Sequence, residues 1–228
     1  MRSRGRSVLL CAAALLAGCG PPFVATEGLT YTVQRGDTLY AIAWRYDLDY
    51  RDLARWNRLG SDYRIVVGQV LKISADDTST AAIAPRPSSR GSATRRHGAS
   101  ESPESAVRWD WPAAGKVVGP VRQPTGGFGL SILGRLGDPV LAAAAGRVVY
   151  AGTALPSYGH LVIVKHSDSL LSAYGHNDRV IVSEGQHVAQ GQPIAQMGIG
   201  PGQQPALYFE IRLNGKPVDP SAYLPHRR

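Results

Sequence analysis

Residues 161–176 read LVIVKHSDSLLSAYGH, and this stretch decides the fold of the C-terminal half of the 228-residue chain. Two apolar runs, residues 161–166 and 170–176, are separated by Ser167, Asp168 and Ser169. Each run is shorter than a typical helix, and the first is rich in β-branched residues, which favours strands. We therefore expect two adjacent strands here, which could bring His166 and His176 near each other.

Similar runs continue on both sides of this stretch. Glycine, proline, asparagine or aspartate separates them at short intervals, as in an all-β sheet or barrel. No helical pattern longer than about two turns appears in this part of the chain. The sequence predicts an all-β domain over residues 109–224, with further strands at 115–118, 130–133, 146–151, 180–182, 193–197 and 207–213.

Residues 30–74 have a different pattern. Residues 30–33 alternate like a short strand, and Gly36 and Asp37 form a turn signal before a position where Asp37 or Thr38 can cap a helix. The apolar spacing that begins at Leu39 defines one helical face, a second helix is expected after Asp49, and residues 70–73 supply a closing strand. The pattern predicts a small βααβ unit, so that the chain is multidomain.

The segment between the two units, residues 75–108, is dominated by alanine, serine, threonine, proline and arginine. Such a composition buries too little apolar surface to offset the entropy of ordering, which predicts a disordered linker. Residues 225–228 form an uninformative tail.

The chain begins with three arginines and an apolar run at residues 8–17, which is typical of a signal peptide and too short to span a bilayer. Leu16-Ala17-Gly18-Cys19 resembles the lipobox of bacterial lipoproteins. The resemblance implies a signal peptide at residues 1–18, lipidation of Cys19 and a tether at residues 19–29. With glycine rather than aspartate at position 20, it implies an outer-membrane anchor facing the periplasm. A plain signal peptide with a chance cysteine is the alternative.

The cysteine count and the charge limit the remaining options. The chain has two cysteines, and Cys11 leaves with the signal peptide, so the mature protein offers no thiol for a disulfide or a metal. An exported chain with a net charge of +8, part of it in the signal peptide, suggests anionic envelope polymers rather than nucleic acid as partners.

The N-terminal unit resembles the LysM domain over its full length. The motifs that carry the resemblance are Tyr31-Thr32-Val33, Gly36-Asp37-Thr38-Leu39, Ile42-Ala43, Asn57, Ile65, Gly68-Gln69 and Leu71-Lys72-Ile73. The family implies binding of N-acetylglucosamine-containing glycan, here the strands of peptidoglycan. The implied glycan-binding residues are Gly36, Asp37, Thr38, Leu39, Ile65 and Gly68.

The C-terminal domain resembles the LytM-type, or lysostaphin-like, zinc metallopeptidases, which implies a barrel-like fold built on a duplicated hybrid motif. The resemblance rests on Asp138-Pro139-Val140, residues 146–152, Tyr174-Gly175-His176, Glu184-Gly185-Gln186, Gly191-Gln192 and residues 214–220. Together with the lipobox and the LysM unit, it makes the whole chain similar to the NlpD-type lipoproteins.

The peptidase family takes zinc ligands from an H-x-x-x-D motif and from the second histidine of a late H-x-H motif. By that resemblance the first motif falls on Gly127 and Ser131, and the second falls on Ala206 and Tyr208. His176 is the only histidine that remains from the site, and it is not a zinc ligand in the family. We therefore expect a degenerate, non-catalytic domain that holds no metal and no other cofactor.

The NlpD-type resemblance implies a murein hydrolase activator, which stimulates a periplasmic N-acetylmuramoyl-L-alanine amidase during cell-wall remodelling and daughter-cell separation. The expected partner groove contains Gly127, Ser131, His176 and Tyr208, although the partner could use another face. Three alternatives remain at this point. They are an active zinc endopeptidase that cleaves peptidoglycan cross-links, a carrier similar to biotinyl or lipoyl domains, and a purely structural wall anchor.

Overall fold

The computed structural model describes residues 29–75, 107–123 and 126–226. The predicted signal peptide, Cys19 and nearly all of the predicted linker lie outside these residues. Within the described ranges, no helix combines the length and the apolar character needed to cross a membrane.

The N-terminal unit has the predicted βααβ order. The side chain of Thr38 accepts a hydrogen bond from the amide of Ala41, and that of Asp49 accepts one from the amide of Arg51, so each helix begins at a polar cap. The two strands pair antiparallel, with Tyr31 opposite Leu71. The elements are β1 (Thr30–Thr32), α1 (Leu39–Arg45), α2 (Tyr50–Trp56) and β2 (Val70–Lys72).

The C-terminal domain is mostly β, as predicted. Its strands are β3 (Val117–Arg122), β4 (Phe128–Leu133), β5 (Pro139–Leu141), β6 (Gly146–Gly152), β7 (His160–Lys165), β8 (Leu170–Val180), β9 (His187–Val188), β10 (Pro193–Met197), β11 (Ala206–Leu213) and β12 (Lys216–Val218). They form one antiparallel sheet whose central part has the order β3-β4-β11-β8-β7-β6-β9. The sheet is not closed into a barrel: β10 pairs with β5 and β8, and β12 pairs with β11.

The strands differ from the sequence prediction at several points. β3 covers Val117–Arg122 rather than residues 115–118, and β5, β9 and β12 were not predicted. The separate strand expected at residues 180–182 is wrong, because β8 continues through His176 as far as Val180. Pairing explains the extension: β10 lies beside this distal part of β8, with Ala195 opposite Val180.

Both faces of the central strands are buried. Because side chains alternate along a strand, the two faces carry separate sets of residues. On the first face, the side chains form the core of the β-domain and include Val148, Val162, Val164, Tyr174 and Phe209. On the second face, the side chains belong to a cluster shared with the N-terminal unit and include Tyr150, Leu161, Ile163, Ala173 and Tyr208.

The helices of the N-terminal unit pack directly against this second face. Arg212 on β11 donates a hydrogen bond from Nη1 to the carbonyl of Trp44 at 3.0 Å and forms an ion pair with Asp47 at 2.9 Å. The hydroxyl of Tyr50 donates to the carbonyl of Asp168 at 2.9 Å. The two units therefore share one apolar cluster and a set of polar contacts across it.

Candidate functional site

Three neighbouring strands, β4, β11 and β8, bring the predicted groove residues together. Tyr208 on β11 lies opposite Ser131 on β4 and opposite Gly175 on β8, next to His176. Gly127 immediately precedes β4. The sequence-predicted residues Gly127, Ser131, His176 and Tyr208 therefore surround one region of the sheet.

The space beside Gly127 is already filled by other side chains. A Cβ atom at this position would lie 2.4 Å from the hydroxyl of Tyr158, 2.6 Å from Oε2 of Glu210 and 3.2 Å from the hydroxyl of Tyr208. Heavy atoms do not approach a Cβ so closely, so a larger residue would have to displace this group. Two tyrosines and a glutamate thus fill the region into which a side chain at position 127 would extend.

Tyr208 begins a buried polar chain that leads toward the N-terminal unit. Its hydroxyl donates to Oε2 of Glu210 at 2.7 Å, and Nε of Arg212 donates to Oε1 of Glu210 at 2.6 Å. All three side chains are at most 2% exposed. Burial raises the pKa of the Glu210 carboxyl, although Arg212 and Tyr208 oppose that rise. Burial, followed by the Glu210 charge, raises the pKa of Tyr208.

His176 stands at the edge of a groove of about 310 Å³. Its backbone has a φ of 60°, and its ring lies edge-on to Tyr208 with 6.0 Å between ring centroids. Its Nε2 and the Nε2 of Gln123 are buried without a hydrogen-bond partner in the part of the chain that the structure describes. Burial lowers the pKa of His176, which favours the neutral ring. The groove is also lined by Val118, Val121, Ser131, Leu133, Pro201, Gly202, Gln204, Ala206 and Tyr208.

The residues at the family's zinc positions do not fit the metal. Gly127 has no side-chain donor atom, and Ser131 and Tyr208 are poor zinc ligands beside the imidazole and carboxylate groups that zinc sites use. The Tyr208 hydroxyl is already bonded to Glu210. Among residues 29–75, 107–123 and 126–226, no three histidine, cysteine, aspartate or glutamate side chains converge as a metal-binding group.

The other histidines of the β-domain do not rebuild such a site. His166 is held by the carbonyl of Ala145 at 2.8 Å and by the hydroxyl of Ser172 at 2.7 Å. His160 contacts the carbonyl of Asn177 through Nδ1 at 3.2 Å. Burial lowers the pKa of His166 to about 4, so this ring is a neutral, hydrogen-bonded part of the structure.

The predicted glycan-binding residues are divided between a cleft and two exposed turns outside it. Asp37, Thr38, Leu39 and Ile65 line a cleft of about 390 Å³ between the two units, which we call the interdomain cleft. Gly36 and Gly68 are not among its lining residues; both have a positive φ, 84° and 86°, and serve the turns.

Within this cleft, several of the predicted side chains have structural partners. The Asp37 carboxylate accepts from the hydroxyl of Tyr31 at 2.7 Å and from the amide of Gln34 at 2.8 Å. Thr38 caps α1, and the Leu39 side chain is 1% exposed. These residues therefore offer the cleft mainly backbone atoms, whereas Ile65 is half-buried and presents part of its side chain.

Comparison with known proteins agrees with this architecture. Residues 31–74 match the LysM domain model, and residues 125–220 match the model of peptidase family M23. An uncharacterized lipoprotein, YgeR, of Escherichia coli K12 is 39% identical over 98% of this chain and 94% of its own length. The chain belongs to the NlpD-type lipoprotein family.

Two further members of the NlpD-type family are similar over most of the chain. A lipoprotein NlpD/LppB homolog of Pseudomonas aeruginosa is 41% identical over 86% of this chain and 77% of its own length. The murein hydrolase activator NlpD of Salmonella typhimurium LT2 is 38% identical over 89% of this chain and 70% of its own length. The names of all three relatives describe a lipoprotein or an activator, and none of them describes a peptidase.

Two residues that shape this NlpD-type site were not predicted from the sequence. Glu210 fills the space beside Gly127, and Arg212 joins the site to Trp44 and Asp47 of the LysM unit. A signal was present: positions 208, 210 and 212 alternate on one face of a strand, and two of them are charged. Because buried charges are almost always paired, an alternating Glu-x-Arg in an otherwise apolar strand indicates a covered, ion-paired face.

Proposed function

We propose that this protein is a non-catalytic, peptidoglycan-binding outer-membrane lipoprotein that activates a periplasmic N-acetylmuramoyl-L-alanine amidase. The observation that carries the proposal is the filled space at Gly127, where Tyr158, Tyr208 and Glu210 pack where a ligand side chain would extend. The relatives that are named murein hydrolase activators support the same conclusion.

The groove beside His176 is the proposed partner site. It is lined largely by apolar side chains, and it adds two buried polar atoms, Nε2 of His176 and Nε2 of Gln123, that lack a partner within the described residues. A partner segment with an apolar face and a few polar groups would bury the apolar surface and satisfy these atoms. To activate the amidase, the groove must bind the open state of that enzyme more tightly than the closed state.

The LysM unit and the lipid anchor place the groove close to the cell wall. The LysM unit binds peptidoglycan glycan strands, and lipid on Cys19 fixes the chain to the outer membrane, facing the periplasm. Two modest attachments to the same envelope raise the effective concentration of the groove near the wall. Because one acyl chain gives only marginal membrane binding, stable anchoring requires the two or three chains that a lipobox cysteine carries.

A dye-release assay tests the activator role. The full-length lipoprotein in detergent is mixed with dye-labelled sacculi and with each amidase of the host in turn. We expect dye release to rise with at least one amidase and no release from the lipoprotein alone. Release by the lipoprotein alone, together with stoichiometric zinc, would instead identify an endopeptidase, and no stimulation of any amidase would refute activation.

A matched pair of substitutions tests the groove. Val118 lines the groove and is 45% exposed, whereas Ile181 is 48% exposed and is not among the groove residues. A buried charge without a partner weakens association, so Val118→Glu should abolish stimulation. Ile181→Glu makes the same chemical change elsewhere and should preserve it. Equal loss in both variants would place the partner on another face.

A further inference from the structure

The interdomain cleft has two walls that come from different units. One wall is formed by the LysM segments 37–40 and 61–65, and the other by Arg147, Val148, Val149, Lys165, Glu184 and Gly185 of the β-domain. The β-domain therefore contributes charged side chains beside residues that glycan binding is expected to use. Such a cleft between units is a common location for ligand sites.

The LysM wall is aromatic. The rings of Tyr40 and Tyr63 are 6.0 Å apart between centroids in an edge-to-face arrangement, and both line the cleft. Tyr50 packs behind them, 4.5 Å from Tyr40 and 5.2 Å from Tyr63. Tyr50 supports these two half-buried rings, whose faces offer apolar contact to the C–H groups of a sugar. Among the described residues neither the Tyr40 nor the Tyr63 hydroxyl has a hydrogen-bond partner, so that both can bond to a ligand.

The opposite wall carries two cations on adjacent strands. Arg147 on β6 is directly opposite Lys165 on β7. Like charges in such a pair repel each other. Lys165 is compensated by Asp168 at 2.8 Å and lies 5.3 Å from the centre of the Tyr50 ring. Arg147 is exposed and has no ion-pair partner within the ranges that the structure describes.

Three carboxylates line the cleft, and none of them forms an ion pair with Arg147. Glu184 accepts a hydrogen bond from the amide of Ala151 at 3.2 Å, Asp37 is bound by Tyr31 and Gln34, and Asp62 accepts from the amide of Arg64 at 3.4 Å. On the β-domain wall, Arg147 is therefore the cation without an ion-pair partner among the described residues, while Arg64 lines the LysM wall. A guanidinium binds a carboxylate through two parallel hydrogen bonds, which makes arginine well suited to that group.

We propose that the interdomain cleft binds an N-acetylated glycan that carries a carboxylated peptide branch. The sugar lies against Tyr40 and Tyr63, and a carboxylate of the branch pairs with Arg147. The inference deepens the glycan binding proposed above and rests on it. It assigns to the peptidase-like domain a direct part in recognising the wall, separate from the groove beside His176.

The test measures the binding of three probes to the full-length lipoprotein in detergent by isothermal titration calorimetry. The first is a disaccharide–tetrapeptide with free carboxylates, the second is the same compound with its carboxylates amidated, and the third is chitotetraose. We expect the free carboxylate to strengthen binding about tenfold over the amidated compound, the size of one exposed charge-assisted contact. Raising the ionic strength should reduce this preference.

Two variants complete the test. Arg147→Gln should bring the preference for the free carboxylate to within about twofold, with chitotetraose binding unchanged. Arg179→Gln removes another exposed strand arginine that does not line the cleft and should keep the full preference. A preference that survives Arg147→Gln, or equal affinity of the wild type for the first two probes, would overturn the inference while glycan binding stands. If none of the probes binds, the proposed glycan binding fails as well.

Discussion

Replacing Arg212 with methionine tests the polar chain that joins the two units. The guanidinium of Arg212 is 1% exposed and contacts Glu210 at 2.6 Å, Asp47 at 2.9 Å and the carbonyl of Trp44 at 3.0 Å. It also lies 3.9 Å from the centre of the Trp44 ring. Methionine keeps most of the volume and removes the charge, so that Glu210, which is fully buried, loses its cationic partner.

The expected loss of stability is large, because breaking a buried ion pair leaves an uncompensated charge. Removal of one partner typically lowers the free energy of unfolding by about 3–5 kcal/mol. For a chain of this size that corresponds to a fall in Tm of about 6–20 °C. Since Arg212 opposes the raised pKa of Glu210, the variant should raise that pKa further. A raised carboxyl pKa favours folding at low pH, so the deficit should grow as the pH rises.

Urea unfolding of the soluble chain without its lipid, followed by circular dichroism at pH 5 and pH 8, measures this deficit. The double variant Glu210→Gln/Arg212→Met removes both charges and should recover at least half of the loss, because a neutral amide can still accept from Tyr208. Arg179→Met, at an exposed position, should change stability by less than about 0.5 kcal/mol. A loss below about 1 kcal/mol for Arg212→Met, or no recovery in the double variant, would refute the reasoning.

Gly127→His should lower the free energy of unfolding by about 1–3 kcal/mol, because its Cβ would meet Tyr158 and Glu210. Added zinc should produce no peptidoglycan cleavage by this variant. An unchanged Tm, or cleavage that depends on the metal, would contradict this packing. Burial lowers the pKa of His166 to about 4, so its contribution to stability is present above pH 6.5 and is lost as the pH falls toward 4. The difference in unfolding free energy between wild type and His166→Gln should therefore shrink by about 1–3 kcal/mol over that range, and a difference that stays constant would contradict the burial of this ring.

Most elements of both units could be predicted from local patterns, whereas the short strands β5, β9 and β12 were not. The helical face that begins at Leu39 and the strands at residues 161–166 and 170–176 follow from short-range periodicity, which is visible in a single sequence. The close packing of the LysM unit on the sheet could not be predicted in the same way. It depends on pairs such as Tyr50 with Asp168 and Trp44 with Arg212, which are far apart in the chain.

The candidate site shows the same division. The residues at the family's ligand positions, Gly127, Ser131 and Tyr208, were found by alignment of motifs. The side chains that fill the space beside Gly127 were not predicted, because Glu210 lies on β11 and Tyr158 lies in the short segment before β7. Glycan binding by Gly36, Asp37, Thr38, Leu39, Ile65 and Gly68 stays a prediction. Arg147 was not predicted, because its proposed role depends on the LysM unit lying beside it.

Burial of the second face of the sheet bears on how deletion phenotypes are interpreted. A chain trimmed to the β-domain would expose Tyr150, Ile163, Ala173 and their neighbours, which now lie beneath α1 and α2. A contiguous apolar patch of this kind promotes self-association. A cell that carries such a truncation would then lose soluble protein as well as wall binding, and both defects could produce the same phenotype. Single substitutions in the cleft or the groove keep the shared cluster covered, so that a loss of binding can be observed without a loss of soluble protein.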